Sequence, residues 1–302
     1  MGNIAIVTDS TSDLPSNIYV GYDLSIVPLS VVFGVKTYLD DGIDIKEDDF
    51  YKMMESSTEM PKAAQPSPGD FINIYSKLTQ QGKEIISIHI SRKLSGTLNS
   101  AELAAGQFKK EKIEVMDSEV VHMPCGFMAL KAAKMADEGN KKEDIIKELS
   151  SFRNKINSFF VPKSLDNLIK GGRINKIKGK LATLLEVKPI LTLKDGEVAL
   201  YKNSRKWELA KKELLNSMEG LIKDSNKLTV SIGDVASSKE ADDMEKNIKE
   251  RFNPSQIIRV KIGIVVGSHL GIGGLSITFF EEWIRIKELD KDNILNYTLL
   301  LP

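Results

Sequence analysis

Apolar residues in the first half of the chain follow two spacings in turn, one typical of strands and one of helices. Near-continuous apolar runs, which indicate buried strands, lie at Asn3–Val7, Leu24–Phe33, Ile85–Ile90 and Lys112–Met116. Helical spacing appears at Glu47–Met54, at Phe71–Leu78, from Leu98 onward, at Met123–Glu138 and from Ile145 to Ile156. Strands alternating with helices to about residue 158 predict an α/β domain built on a parallel sheet.

The pattern changes after Phe160. Two β-rich segments flank Asp195-Gly196, a dipeptide typical of a hairpin turn. Further elements are predicted as a helix after Arg205, a strand at Leu228–Ile232, a helix at Ala241–Phe252 and a β-rich run at Ile257–Val266. We therefore predict two α/β domains, residues 1–158 with a parallel sheet and residues 159–282 with a mixed one. Residues 283–302 form an extension of unknown role.

Polar residues follow two of the predicted strands directly. The first strand leads into TDSTSD, in which Asp9 and Ser10 are expected in a polar turn that faces a ligand or joins the domains. The strand Ile85–Ile90 is followed by Ser95-Gly96-Thr97 and a helix. Hydroxyls and free backbone N–H groups at a helix start can bind an anion, and open parallel sheets bind ligands at this edge. The two turns together predict a site for a carboxylate or phosphate.

Three other features carry candidate chemistry. His269 lies in the glycine-rich segment Gly267–Gly274, which we interpret as a functional loop after a strand. The cations from Lys170 to Lys180 are either a solvated face or, with Arg173, a docking surface for an acidic or phosphate-bearing partner. His89 is expected in the core and His122 at a helix start.

The composition of the chain argues against several classes of protein function. Lys+Arg and Asp+Glu both total 42 in 302 residues, which argues against a nucleic-acid-binding protein. Cys125 is the only cysteine, so we expect a reducing compartment and a buried thiol rather than a nucleophile activated by His122. One cysteine and three histidines give no zinc-site spacing. Without an apolar run of ~20 residues or a signal peptide, we expect a cytoplasmic protein with no membrane span.

Two functional classes remain open from the residues alone. One is a serine hydrolase or esterase with Ser95 as nucleophile, His269 as base and Asp9 or Asp117 as orienting carboxylate. Leu94-Ser95-Gly96 lacks the Gly-x-Ser-x-Gly elbow of many such enzymes. The other class is a binding protein for a carboxylate or phosphate ligand. Phosphoryl transfer by the chain itself is disfavoured because no P-loop motif is present.

The motifs in combination resemble those of the DegV family, which includes the fatty-acid-binding subunits of bacterial fatty acid kinases. The matching segments are Thr8–Leu14, Val27–Leu29, Gln65–Pro68, Ser95–Ala101, Asp117-Ser118, Leu168–Ile174, Lys188–Leu191 and Gly267–Gly274. The resemblance implies a long-chain fatty acid buried between the two domains, with its carboxylate at Ser95, Gly96 and Thr97. It places Arg173 and His269 near the head group.

The same resemblance implies a lipid-binding acyl carrier without catalytic activity or cofactor. Its partner would be a separate fatty acid kinase that phosphorylates the bound carboxylate, and a transient membrane contact is left open.

The chain departs from the family pattern at two places. Ala63-Ala64 stand where the family commonly has Thr-Ser, the Thr being a carboxylate ligand, and Gly271-Ile272-Gly273 replaces Gly-Pro-Gly. Burying ~15 methylenes at ~0.8 kcal/mol each gives about 12 kcal/mol, whereas one hydrogen bond to a carboxylate contributes roughly 1.5–3 kcal/mol. The missing hydroxyl is therefore expected to loosen the head group without abolishing lipid binding.

Overall fold

The computed structural model of the protein describes residues 3–174 and 188–282. The strands in these ranges are β1 (Ile4–Asp9), β2 (Leu24–Val27), β3 (Ser30–Phe33), β4 (Lys36–Leu39), β5 (Lys62–Ala64), β6 (Glu84–His89), β7 (Ile113–Asp117), β8 (Asn157–Val161), β9 (Ile190–Lys194), β10 (Glu197–Lys202), β11 (Leu228–Asp234), β12 (Gln256–Lys261) and β13 (Leu275–Glu281).

The helices in the same ranges are α1 (Ser16–Tyr19), α2 (Glu47–Glu55), α3 (Pro68–Gln80), α4 (Thr97–Ala105), α5 (Met123–Asp137), α6 (Lys142–Arg153), α7 (Asp166–Lys170), α8 (Trp207–Leu221), α9 (Ser238–Phe252) and α10 (Ile264–Leu270). Short 3-10 turns lie at Ser10–Ser12 and Ser225–Lys227.

Two large sheets organise the fold, as an α/β protein with a parallel and a mixed sheet. The first has the order β2-β1-β6-β7, and its three pairings are parallel. The second has the order β10-β9-β8-β13-β11-β12, with one parallel pairing, between β11 and β12. The predicted parallel N-terminal sheet and mixed second sheet are confirmed. The boundary predicted between residues 158 and 159 falls within β8, and the exact division into domains stays a prediction.

Apolar helix faces cover both large sheets. Helices α3 and α4 pack on one face of the parallel sheet, whereas α5 and α6 pack on its other face. The α5–α6 cluster also includes Ile258, Val260 and Phe280 from the second sheet, so these helices lie between the two sheets. Helices α8 and α9 cover the far face of the second sheet. Burial of apolar surface in these layers is the main source of stability.

A small antiparallel sheet of order β4-β3-β5 completes the molecule. Its inner residues Val31 and Phe33 pack with α2, α7 and α10 and with Phe160 of the second sheet. The β-rich run predicted over Leu24–Phe33 is confirmed, but it forms two strands, because β2 ends at Val27 and β3 begins at Ser30 in a different sheet. Pro28, which separates them, has a fixed φ and no N–H for a ladder.

The prediction for Ile257–Val266 is wrong in its second half. Strand β12 ends at Lys261, and Ile264 begins helix α10. His269 therefore lies in the last turn of a short helix and not on a loop after a strand. A short apolar run does not distinguish a buried helix from a strand, which explains the error. The predicted extension 283–302 and Lys176–Lys180 lie outside the described residues.

Candidate ligand-binding site

A mainly apolar cavity lies where the three sheets meet. The parallel sheet contributes its carboxyl edge, the small sheet contributes β5, the second sheet contributes β8–β10, and α7 and α10 close the remaining side. The apolar lining consists of Leu29, Ala63, Ala64, Ile90, Leu94, Val121, Phe160, Leu168, Leu191, Leu193, Val198, Val265, Val266 and Leu270. The polar lining comprises Thr11, Gln65, Ser95, Arg173 and His269, with the backbone of Gly96. Such a cavity suits an amphipathic ligand with a long apolar part.

The Ser95 turn joins the end of β6 to the start of α4. Ser95 is half-buried, and its Oγ lies 2.9 Å from the Thr97 Oγ1 and accepts the Thr97 backbone N–H at 3.3 Å. Both Ser95 and Gly96 line the cavity, whereas Thr97 is fully buried at the first position of α4. Of the two hydroxyls in this turn, that of Ser95 therefore lies at the cavity, and its part in binding a ligand stays a prediction.

Asp9 and Ser10 support the site from behind the cavity wall. The buried Asp9 carboxylate accepts hydrogen bonds from the Ile90 N–H at 3.0 Å and from the Thr11 N–H at 3.1 Å. Ser10 Oγ accepts the Leu29 N–H at 3.0 Å. Because Thr11, Leu29 and Ile90 line the cavity, these two residues hold its polar edge in place. The role of this turn in supporting a bound ligand stays a prediction.

His269 and Arg173 share one side of the cavity. The Arg173 guanidinium donates to the Leu94 carbonyl at 3.2 Å and to the Gly171 carbonyl at 2.6 Å. Burial, with a smaller contribution from the Arg173 charge, lowers the pKa of His269 to about 4. The imidazole is therefore neutral at pH 7. Its buried Nδ1 has no hydrogen-bond partner among the described residues.

The esterase alternative is not supported by this arrangement. The Asp9 carboxylate accepts from His89 Nδ1 at 2.9 Å, and Asp117 accepts from Arg92 Nε at 3.0 Å, so both proposed orienting carboxylates are used elsewhere. In the described part of the chain no carboxylate orients His269, and a base of pKa about 4 removes a serine proton poorly at neutral pH.

Two predicted structural roles are confirmed. His89 is fully buried in β6, and Cys125 is buried in α5, where burial raises the pKa of its thiol to about 12. His122 directly precedes α5, as predicted, but it has a positive φ of 66° and donates or accepts through both ring nitrogens. Its Nδ1 lies 2.5 Å from Asp13 Oδ2, and its Nε2 lies 2.7 Å from Ser276 Oγ.

Sequence reasoning missed the carboxyl pair that anchors α10. Asp13 accepts the Gly263 N–H and Asp40 accepts the Ile264 N–H, each at 2.9 Å, at the start of this helix. The Tyr51 hydroxyl donates to the carbonyl of Gly263 at 3.0 Å. These contacts fix the helix that carries His269 to the N-terminal half of the protein. Asp13 was visible only as the last member of the TDSTSD turn, and nothing in the sequence paired it with Asp40.

Comparisons with known proteins show which proteins this chain resembles. A family profile described as "Uncharacterised protein, DegV family" matches residues 3–282. The chain belongs to the DegV family. A DegV domain-containing protein of Listeria innocua is 33% identical over 277 residues, covering 91% of this chain and 98% of the relative.

Solved structures of DegV proteins share the fold of this DegV chain along nearly its whole length. A fatty-acid-binding DegV family protein of Thermus thermophilus and a fatty-acid-binding DegV of Bacillus subtilis are each 29% identical, with TM-scores of 0.86. In both cases the match covers 93% of this chain and 100% of the other. A stearic acid-binding protein of Eubacterium ventriosum is 26% identical, with a TM-score of 0.82, and the match covers 92% of this chain and 98% of the other.

Metal-ligand clusters and membrane-spanning helices are both absent from the described residues. In residues 3–174 and 188–282 no cluster of His, Cys, Asp or Glu side chains has the geometry to hold a metal ion. Over the same ranges no helix is long and apolar enough to cross a membrane.

Proposed function

We propose that this protein binds a long-chain fatty acid in the cavity, with the carboxylate at the Ser95 turn and the acyl chain among the apolar residues. The observation that carries this proposal is the lining of the cavity, which is apolar except for the Gly96 backbone and the side chains of Thr11, Gln65, Ser95, Arg173 and His269. The fatty-acid and stearic acid ligands of the structural relatives support the same ligand class.

The energetics fit a ligand held mainly by its chain. A long acyl chain gains about 0.8 kcal/mol for each buried methylene, so ~15 methylenes outweigh any single polar contact. A hydrogen bond from the Ser95 hydroxyl to a charged carboxylate adds roughly 1.5–3 kcal/mol. Thus the chain provides affinity, and the Ser95 turn provides orientation.

We further propose that the protein is a carrier in cytoplasmic fatty acid metabolism, which presents the carboxylate to a separate kinase for acyl-phosphate formation. The half-buried Ser95 and the exposed Arg173 support this role, because they place the polar end of the cavity near solvent. A positively charged guanidinium there matches the charge that develops on a phosphoryl group in transfer. The carrier itself needs no cofactor for this role.

Native mass spectrometry of protein purified from bacterial cells tests the lipid-binding proposal. We expect a co-purifying long-chain acid, and rebinding of palmitate after delipidation. Ser95→Ala is expected to weaken palmitate binding by roughly tenfold. The exposed Ser150 in α6 provides the control, since Ser150→Ala removes a hydroxyl that is not part of the cavity lining. A wild-type protein that neither carries nor rebinds an acid would refute the proposal.

Phosphorylation assays with a bacterial fatty acid kinase test presentation. Arg173→Ala is expected to retain palmitate while the rate of acyl-phosphate formation falls at least tenfold. The exposed Arg205, which does not line the cavity, provides the matched control. An unchanged rate in Arg173→Ala would remove this residue from the transfer site.

A further inference from the structure

We propose that Gln65 supplies the second hydrogen-bond donor to the ligand carboxylate, opposite Ser95. This inference rests on the proposed function. It gives a ligand-binding role to Gln65, a residue to which the sequence motifs assign none. Gln65 directly follows β5, the strand that ends in Ala63-Ala64, and it lines the cavity together with both alanines. The two alanines offer no hydroxyl, so the polar group on this wall is the Gln65 carboxamide.

Hydrogen bonds hold the carboxamide over the Ser95 turn. Gln65 Nε2 donates to Ser100 Oγ at 3.1 Å, and the Ser100 backbone N–H donates to the Gly96 carbonyl at 3.1 Å. Ser100 is itself buried in the first turn of α4. The amide group is thus oriented by a fixed hydroxyl although the residue as a whole is exposed.

The glycine beneath the carboxamide points to the same role. A Cβ on Gly96 would lie 2.0 Å from Gln65 Oε1 and 2.7 Å from its Cδ, so the amide occupies the space that a side chain would need. The φ of Gly96 is −79°, which any residue adopts. Glycine at this position is therefore explained by the approach of Gln65 and not by backbone conformation.

The chemistry of a primary amide suits a carboxylate. Nε2 carries two hydrogens, of which Ser100 takes one. Within residues 3–174 and 188–282 the only hydrogen bond of this amide nitrogen is the one to Ser100, which leaves its second hydrogen for a ligand. Because Gln65 and Ser95 both line the cavity, the amide N–H and the Ser95 hydroxyl together offer one donor for each oxygen of a carboxylate. A neutral donor also leaves the head group free to gain a phosphoryl group without a competing ion pair.

Binding measurements with palmitate and with hexadecanol, at the same chain length, test the role. Gln65→Ala is expected to lower the affinity for palmitate by about tenfold and the affinity for hexadecanol by less than twofold. Gln65→Glu is expected to lower the affinity for palmitate further at pH 8, because two carboxylates would face each other. The affinity should recover at pH 5. The exposed Gln107, remote from the cavity lining, provides the control Gln107→Ala.

Gly96→Ala provides an independent test of this role, because the new methyl group would displace the Gln65 carboxamide although Gln65 itself is unchanged. We expect the palmitate affinity of Gly96→Ala to equal that of Gln65→Ala, with no further loss in the double variant. Ala63→Ser is expected to restore part of the affinity in the Gln65→Ala background, since Ala63 lines the same wall.

The outcomes separate the two proposals. The donor role would be overturned if Gln65→Ala bound palmitate as tightly as the wild type does. It would also be overturned if the variant lost equal affinity for palmitate and for hexadecanol. Neither result would contradict fatty acid binding itself. A wild-type protein that binds neither ligand would refute the proposed function, and the Gln65 inference with it.

Discussion

The imidazole of His269 packs directly on the backbone of Gly171. A methyl group on Gly171 would lie 2.3 Å from His269 Nδ1 and 2.8 Å from Cε1. Beside this contact Asn167 Nδ2 donates to the Ser268 carbonyl at 3.0 Å. The end of α7 therefore fixes the position of the ring that α10 carries to the cavity.

Gly171→Ala tests the importance of this close packing. Gly171 has φ −70° and ψ −15°, so alanine fits the backbone, but its methyl group would force the ring to move. We expect palmitate affinity to fall several-fold with a changed His269 NMR signal. Gly220→Ala in α8 is the control, since nothing lies within 4 Å of a Cβ there. Unchanged signal and affinity in Gly171→Ala would contradict the prediction.

The depressed pKa of His269 predicts a pH dependence of stability. The folded pKa is about 4, whereas an unfolded histidine titrates near 6.5, so between these values the unfolded state binds more protons. The resulting stabilisation is present above pH 6.5 and is lost as the pH falls towards 4. At pH 5 the loss is about 2 kcal/mol.

Urea unfolding of the wild type and of His269→Gln at pH 7.5 and pH 5.0 measures this contribution. The free energy of unfolding of the wild type should fall by about 2 kcal/mol more than that of the variant between the two pH values. An equal fall in both proteins would show that His269 titrates normally.

Much of the fold was predictable because local patterns agree with the tertiary structure. The Asp195-Gly196 turn joins β9 to β10 as predicted, with Asp195 at φ 51° and Gly196 at φ 78°. The helix predicted at Glu47–Met54 is present as Glu47–Glu55. Both follow from neighbouring residues alone, through turn chemistry in one case and amphipathic spacing in the other.

The site was less predictable because its parts meet only in the folded chain. Ser95 and His269 stood out by their local sequence, but the cavity between them is lined by strands of two sheets and by segments that follow the strands of the parallel sheet. The central strand β13 of the second sheet was not predicted, and neither was the helical state of Ile264–Leu270. The Gln65 carboxamide over Gly96 is likewise a contact between segments 31 residues apart.

The buried hydrogen-bond chain around His89 should be important for stability. His89 Nδ1 donates to Asp9 Oδ2 at 2.9 Å, and Ser87 Oγ lies 2.6 Å from His89 Nε2. His89→Leu leaves the buried Asp9 carboxylate short of a partner, for which we expect a loss of roughly 3 kcal/mol. Chemical denaturation at pH 7 measures this loss, and Ser87→Ala provides the comparison.

Ser87→Ala should lower the free energy of unfolding by only about 1–2 kcal/mol, since it removes neutral hydrogen bonds from His89 and from the Tyr75 hydroxyl. A His89→Leu protein as stable as Ser87→Ala would show that the Asp9 carboxylate does not depend on the histidine.

Burial of the charged Asp40 carboxylate lowers the stability of the folded protein, and a single substitution should remove this effect. Its Oδ1 accepts the Ile264 N–H, while its buried Oδ2 has no hydrogen-bond partner in the described part of the chain. Burial first, and then the neighbouring Asp13 carboxylate, raise the pKa of Asp40 to about 7. An unfolded aspartate titrates near 3.9, so the folded state binds the extra proton between pH 4 and pH 7. Stability from this group is therefore present at low pH and lost as the pH rises through 7.

Asp40→Asn keeps an oxygen for the Ile264 N–H and adds an N–H beside the Asp13 carboxylate. At pH 8 we expect the variant to be more stable than the wild type, by on the order of 2 kcal/mol, because no second negative charge is buried. At pH 5, where Asp40 is protonated, the two proteins should unfold at similar urea concentrations. The exposed Asp243 of α9 gives the control Asp243→Asn, which should show no such pH-dependent gain. A destabilised Asp40→Asn at pH 8 would mean that the charged carboxylate is itself needed to anchor α10.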